Sequence, residues 1–487
     1  MNTSKSAKIS TNWILLAAFF IYLGLNLIGI IYHEKWLDEA QIWLIARDLN
    51  PWQIIQQTHY ELSPSLWYQI LHLFAANNLP YITQSILNSM IMILSAYVIL
   101  WQTNLKLSLK ILLIFSYYFA FEYALISKSY SLTILFLLII AVIKTRKNIS
   151  RWWQIGLIFL LANTNTVGMI SAGSLIIMTI WELIENKKKK INDWWPIIIM
   201  SSGLTLALWQ IYPVADINHS NGFAHYLTPV NGMAMAFFPW KMLTLDNLLL
   251  MREGVWHFSI WNTFIAILFL VLTIWRFWRQ PKMLVFLLIN YLGLGYLLIF
   301  CDNGHLRHYG FFMIWLIIAL ILDNQQNRPE QIVRKIFDTA LIFSLTFLTI
   351  CSIREHYLEI KYSFSPTKET ANFLQQNNLE NAYWITDSFY MTSLLPYFPE
   401  KKIWQASCHR EISFFKVDRE CIDGLRKTEE NIETIVKKKL SEKQKIIYFT
   451  NKPLPNKQLE KWHQIFQNDR YVFGYDFPTV FVYQYNQ

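Results

Sequence analysis

Apolar runs recur from Trp13 to Cys351, and nothing else in the chain constrains its fold so tightly. A run near the ~20 residues that cross a bilayer has one stable solution in lipid: a helix whose backbone groups bond to one another. The first run, Trp13–Tyr32, ends in Tyr32-His33-Glu34-Lys35 and not in a small-residue cleavage site, so it reads as a retained span. Further runs cover Ile82–Trp101, Ile111–Ile126, Ser129–Ile143, Trp152–Val167, Met169–Trp181 and Trp194–Tyr212, then Phe258–Trp275, Met283–Phe300, Tyr309–Leu322 and Ile336–Cys351. Charged residues are only 16 % of the 487, against roughly 25 % in soluble proteins, which excludes an ordinary cytosolic enzyme. Four cysteines and 15 glycines exclude disulfide-scaffold and collagen-like chains. No basic stripe interleaved with aromatics stands in a soluble segment, so nucleic acid is not an expected partner.

The net charge of +10 sorts the loops. Lys187–Lys190 is the strongest basic mark. Lys144, Arg146, Lys147 and Arg151 form a second, Arg276, Arg279 and Lys282 a third, and Arg328, Arg334 and Lys335 a fourth. Basic loops stay cytoplasmic, and all four marks fall on the side of the N-terminus if the chain crosses about eleven times. That count puts the N-terminus inside and the C-terminus outside. It requires Pro64–Ala76, also apolar, to be a short, partly inserted helix and not a span.

The expected architecture is an α-helical polytopic membrane protein of about 11–12 transmembrane helices, carrying a small C-terminal extracytoplasmic α/β domain. Residues 1–353 form the membrane domain, with a first outer loop at 33–63, and residues 354–487 the outer domain. There, Ser365-Pro366 starts a helix through Glu369–Gln376, and a polar helix lies around Glu429–Leu440. Strands are expected at Tyr383–Thr386, Ile412–Val417, Ile446–Thr450 and Tyr471–Tyr475. Cys408 and Cys421 admit two readings: free thiols at the ends of one extended strand, or a disulfide with the chain turning back at Asp418-Arg419-Glu420.

Residues able to do chemistry cluster in the outside loops. Asp38 and Glu39 open a stretch in which Ile42, Ile45, Ala46 and Leu49 recur at helical spacing, as in an amphipathic helix lying in the interface. A carboxylate there can take a proton from an acceptor hydroxyl, although Asp38 and Gln41 also fit a capping box. Glu61 precedes Pro64 and the interfacial aromatics Trp67 and Tyr68. Glu122 lies within a span with Lys128 as its expected partner, beside Tyr130. The run Cys301–Tyr309 gathers Asp302, His305, Arg307 and His308, and Arg307 at headgroup depth suits a lipid phosphate. His305 and His308 lack the further ligands that zinc requires, so no metal site is assigned. In the longest outside loop, His219, His225, Arg252 and Glu253 are candidates for a gate.

These segments carry a resemblance. Asp38-Glu39 after a first span, Glu61-x-x-Pro64-x-Leu66-Trp67-Tyr68, Lys128-Ser129-Tyr130-Ser131-Leu132 and Arg307-His308-Tyr309-Gly310 look like the motifs of GT-C glycosyltransferases. The nearest group is family 39 and the RgtA/B/C/D-like proteins, related to protein O-mannosyltransferases and lipid A aminoarabinose transferases. The resemblance implies transfer of a sugar from a polyprenyl-phosphate donor to a glycan, lipid or protein acceptor on the outer face. Asp38, with Glu39 beside it, is then the catalytic carboxylate. Arg307, helped by Lys128, holds the donor phosphate, and Glu61, Tyr130, His305 and His308 line the substrate site. A divalent cation held by Asp38 or Glu61 is compatible with that scheme. Ser63 and Ser65 depart from the family's usual His or Lys before the proline and from its second proline, and Lys128 stands where Arg is commoner. Two other classes fit a polytopic chain. A lipid or sugar transporter calls for repeated halves and Gly- or Pro-broken spans at the midplane, which the sequence does not show. A non-catalytic membrane protein with a binding outer domain is the other.

Overall fold

The structure is a computed structural model and describes residues 2–146, 150–185, 194–214, 227–243, 259–300, 304–323, 330–416, 418–424, 428–475 and 479–486. Lys147, Lys187–Lys190, His219, His225, Arg252, Glu253, Cys301, Asp302, Arg328 and Val417 lie outside the described residues.

Within the described residues the apolar runs fold mainly as helix, with breaks at Ser116 and at Asn163–Asn165. Among the described residues, six helices are long and apolar enough to cross a membrane: Asn12–Tyr32, Ile82–Gln102, Thr166–Glu185, Ile260–Phe277, Pro281–Phe300 and Gln331–Lys361. A seventh crossing would be the pair Leu107–Phe115 and Tyr118–Leu125, bent by 51°. The bend falls at Ser116, where the backbone turns extended before a π-helical turn, Tyr118–Glu122. Four apolar helices, Tyr130–Thr145, Arg151–Ala162, Trp195–Ile211 and Leu306–Leu322, are shorter than a span. Several of the expected crossings thus use helices shorter than a full span, as the lengths of their apolar runs imply. Two features let these helices be short. Their connecting turns are buried in protein, as at Ser129 and Asn163–Asn165. Leu306–Leu322 is enclosed on nearly every side, so little of it meets lipid. Exposed Trp13, Trp152, Trp153, Trp195, Trp261 and Trp278 stud the outside of the bundle, as expected of a lipid-facing surface. The protein is a multi-pass membrane protein.

At one end of the bundle, two described members of the basic marks pair with carboxylates, Lys144 with Glu182 (3.0 Å) and Lys282 with Glu185 (2.5 Å). The opposite end carries three short helices, Leu37–Asp48, Pro51–Glu61 and Leu66–Ala75. The last has only ten residues, about 15 Å of rise, so it covers roughly half a bilayer core. Leu37–Asp48 does not lie free in an interface as its spacing suggested. Glu39 to Ala46 are all buried. Trp43 and Ile45 pack with Trp67, Leu71 and Tyr81, whereas Leu44 enters the core of the C-terminal domain.

That domain holds a six-stranded sheet: β1 (Tyr383–Thr386), β2 (Ile403–Gln405), β3 (Arg410–Ile412), β4 (Ile446–Thr450), β5 (Trp462–Gln467) and β6 (Phe481–Tyr485). Its order is β3-β2-β1-β4-β6-β5. β1 is central and parallel to both neighbours, with Ile385 opposite Trp404 and Tyr448. The helices Thr367–Gln376 and Thr428–Ser441 match the sequence reading. Two strand expectations fail. The run after Ile412 leaves the sheet and crosses to the first loop, where Phe415 bonds to Gln41. Tyr471–Tyr475 forms only an isolated bridge, Ser363 to Val472, and packs its rings against Phe364. Of the two cysteine readings, the structure has the disulfide, Cys408 to Cys421. The chain returns through left-handed His409, and Asp418 caps the turn by accepting from the Cys421 amide (3.1 Å).

Candidate active site

The site forms where the first-loop helix meets the turn before Tyr130–Thr145 and the start of Leu306–Leu322. Asp38 stands in the first turn of Leu37–Asp48. Its Oδ2 accepts from Lys128 Nζ (2.5 Å) and Arg307 Nη2 (3.1 Å). Three residues far apart in sequence thus meet at one oxygen. Arg307 is the more enclosed cation, its side chain 6 % exposed against 15 % for Lys128 and 32 % for Asp38. Its guanidinium lies over the rings of Trp36 (5.0 Å) and Tyr475 (5.5 Å). Only Nη2 is used: Nε and Nη1 of Arg307 are buried without a hydrogen-bond partner among the described residues. A guanidinium with spare donors, on a residue that lines a cavity, suits an anion with several oxygens.

Glu39, next in sequence, points elsewhere. One residue along a helix is about 100° around it, which turns Glu39 into the protein. Its Oε2 meets His33 Nε2 (3.0 Å) and accepts from the Trp36 amide (3.3 Å), while Oε1 accepts from the Ser127 amide (2.7 Å). The capping carboxylate of this helix is therefore Glu39, where sequence spacing suggested Asp38 with Gln41. Gln84 Nε2 bonds both the Glu39 and Ser127 carbonyls (3.1 Å each). Together they fix the Lys128 turn against the first-loop helix, which sets the distance from Lys128 to Asp38.

Asp38, Lys128 and Arg307 edge a cavity of about 320 Å³, also lined by Glu61, Tyr130 and His308. Its volume is at the small end of ligand pockets. One wall is apolar, made by Leu294, Leu297 and Leu298 near the end of the span Pro281–Phe300. Tyr130 Oη and His308 Nε2 are 2.8 Å apart. The His305 amide donates to His308 Nδ1 (3.2 Å), which places the imidazole proton on Nε2, toward Tyr130. His305 stacks edge-on to Tyr475 outside the cavity lining.

Glu61 closes the helix Pro51–Glu61, which Asn50 caps by accepting from the Trp52 and Gln53 amides. Leu62 follows with φ 52°, a left-handed turn that stands the Glu61 end beside the cavity. Gln41 and Gln57 both donate to Glu61 Oε1 (3.0 and 2.9 Å). Burial pushes the Glu61 carboxyl up to about 7, and the two amides offset only part of that. Asp38 behaves oppositely. Burial would raise it, but Lys128 and Arg307 outweigh that and hold it below its ordinary value.

Glu122 does not pair with Lys128 as expected. It accepts from Tyr117 (2.5 Å) and Tyr475 (3.1 Å), because the π-helical turn swings it toward the C-terminal domain. The sequence reading missed Gln41, Trp36 and Tyr475. Trp36 adjoins Asp38 and could have been suspected. Gln41 and Tyr475 act through long-range packing and carry no local signal. Among the described residues no three of His, Cys, Asp or Glu gather to hold a metal ion. At Asp38, two cationic side chains already supply the positive charge a divalent ion would bring.

No family model matches the chain, and no curated protein matches it. Among solved structures it is similar to ArnT from Cupriavidus metallidurans bound to undecaprenyl phosphate, with 11 % identity, 97 % of this chain and 98 % of that chain covered, and a TM-score of 0.48. It is similar also to the apo state of the same protein, with 11 % identity, 98 % of each chain covered and a TM-score of 0.44. Likeness of that degree leaves the functional reading to the geometry of the site itself.

Proposed function

We propose that this protein is a membrane glycosyltransferase that moves a sugar from a polyprenyl-phosphate donor to an acceptor at the outer face of the membrane. The observation that carries this is the Arg307 guanidinium on a cavity lining, held by Asp38 at one nitrogen and with its two buried nitrogens unpaired among the described residues, with Lys128 on the same carboxylate and a leucine wall beside it. A phosphate suits the two cations on the lining, and a polyprenyl tail suits the apolar wall leading from a span. The motif resemblance at Asp38, Lys128 and Arg307 points the same way. The basic loop ends lie opposite the site, which the charge rule places inside, so the site and the domain from residue 354 face outward.

In this reading Arg307 and Lys128 hold the donor phosphate, and Asp38 orients both cations and balances their charge until the donor arrives. Asp38, kept ionised by its partners, is a weak base, and Glu39 is a positioning residue without contact to substrate. The acceptor oxygen attacks the anomeric carbon, its bond to phosphate breaks, and polyprenyl phosphate leaves with the electron pair, stabilised by the same two cations. Tyr130 and His308, joined on the cavity wall, contact the sugar. Binding of undecaprenyl phosphate to purified protein should weaken at least tenfold in Arg307→Ala and less in Arg307→Lys, which keeps charge but loses planar two-point contact. Equal binding by all three proteins would remove the phosphate assignment. A transporter is the poorer reading because the charged groups cluster at one end and not at the bilayer midplane.

A further inference from the structure

We propose that Glu61 is the general base of the transfer, taking the proton of an acceptor hydroxyl as that oxygen bonds the anomeric carbon, and that the C-terminal domain holds Glu61 in place through Gln41. This rests on the transfer reading above. It names the acceptor chemistry, a hydroxyl, which must lose a proton where an already ionised acceptor need not.

The cavity holds two carboxylates with opposite surroundings. Asp38 meets two cations, so a proton placed on it would cost both contacts. Glu61 meets two neutral amides, and both donate to Oε1. Its Oε2 has no hydrogen-bond partner among the described residues, and the residue is half-buried on the cavity lining. The groups facing it are Asp38, Lys128 and Tyr68, with Arg307, Tyr130 and His308 across the cavity. Burial brings Glu61 to about 7, near where a base for proton transfer is most effective, while Asp38 lies well below. The balance is complete: the hydroxyl proton goes to Glu61, the new carbon–oxygen bond forms, and the electron pair of the broken bond leaves on polyprenyl phosphate.

The positioning is equally specific. Gln41 Oε1 accepts from the Phe415 amide (2.8 Å), and its Nε2 donates both to the Phe415 carbonyl (2.5 Å) and to Glu61. The paired backbone contact fixes which end of the amide faces Glu61. Phe415 belongs to the segment enclosed by the Cys408–Cys421 disulfide, and Lys416 in the same segment lies over the Tyr60 ring at 4.1 Å. The left-handed Leu62 fixes the other side.

The test offers the purified full-length protein a panel of undecaprenyl-phosphate-linked glucose, mannose, galactose and arabinose, with native membrane lipids and glycans as acceptors. Undecaprenyl phosphate binding and thermal unfolding are measured in parallel. Glu61→Gln should keep binding and fold while kcat falls at least about 100-fold, with KM changed little. Glu61→Asp should restore part of the rate. In wild type, kcat/KM should fall below about pH 7, and Gln41→Leu should move that limb to higher pH. Wild-type protein that transfers none of the sugars overturns the transfer reading and this proposal with it. Wild-type transfer with an unchanged rate in Glu61→Gln overturns this proposal alone, and loss of binding in that variant makes Glu61 a donor ligand instead.

Discussion

Asp38 and Glu39 are neighbours in sequence, and each meets a basic partner, yet they belong to regions built for opposite ends. Around Asp38 the partners leave capacity unused: Arg307 has two donors unpaired among the described residues, and the carboxylate is a third exposed. Around Glu39 the seam is closed. His33 bridges Glu39 and Glu359 (3.0 and 3.1 Å), tying the end of the first span to the first-loop helix and to the last span, with the side chains at most 2 % exposed. Burial would lower the His33 pKa, but the two carboxylates raise it to about 10, so the imidazole stays charged across the ordinary range. The contrast separates a polar cluster that awaits a ligand from one that holds elements together. What decides between them is whether the cluster lines a cavity, not how many charges are present.

The largest effect should come from breaking the open region. Arg307→Ala should lower transfer by a factor of about 100–1,000, comparable to removing a transition-state donor, with little change in thermal unfolding. Asp38→Asn should follow closely, since the cations lose the carboxylate that orients them. If either variant unfolds early while retaining its rate per folded molecule, the distinction between the regions collapses.

The closed region should answer in stability. Glu39→Gln strips a buried charged bond from His33 and weakens the hold on the Lys128 turn, so unfolding in detergent should ease by about 3 kcal/mol. A loss of transfer with no loss of stability would put Glu39 in the chemistry. Opening Cys408–Cys421, by changing both residues to Ser, should cost the C-terminal domain about 2–3 kcal/mol and loosen the Phe415 grip on Gln41. Calorimetry and the transfer rate should move together if that grip matters.

The last effect is a matter of pH. The folded pKa of His33 lies above its unfolded value of about 6.5, so the stability it contributes is complete below that value. It is lost as pH rises through about 10. The unfolding midpoint should therefore fall between pH 7 and 10, and His33→Gln should flatten that slope. A slope kept in the variant would assign the titration to other groups.

Much of this was legible in the sequence because it depends on local composition. Apolar runs had to become helices, since lipid offers no partner for a bare backbone, and the charged C-terminal region had to build a sheet of its own, although the helix Gln331–Lys361 runs past residue 354. Asp38, Lys128 and Arg307 could be picked out one by one as charged residues at the ends of apolar runs. That they meet at one oxygen could not. Lys128 was matched to Glu122 by sequence proximity, and only a bundle that sets the Lys128 turn against the first-loop helix gives it to Asp38. A helical rotation of one residue sent Glu39 inward, and the π-helical turn at Tyr118–Glu122 carried Glu122 to Tyr475. The sequence by itself determined the membrane helices, the separate C-terminal α/β domain and the ends of the chain where charge collects, because hydropathy and turn chemistry act over a few residues. The tertiary structure alone decided which carboxylate is paired and which is neutral-flanked, because Lys128 and Arg307 reach Asp38 from 90 and 269 residues away, and Gln41 reaches Glu61 from a separate helix.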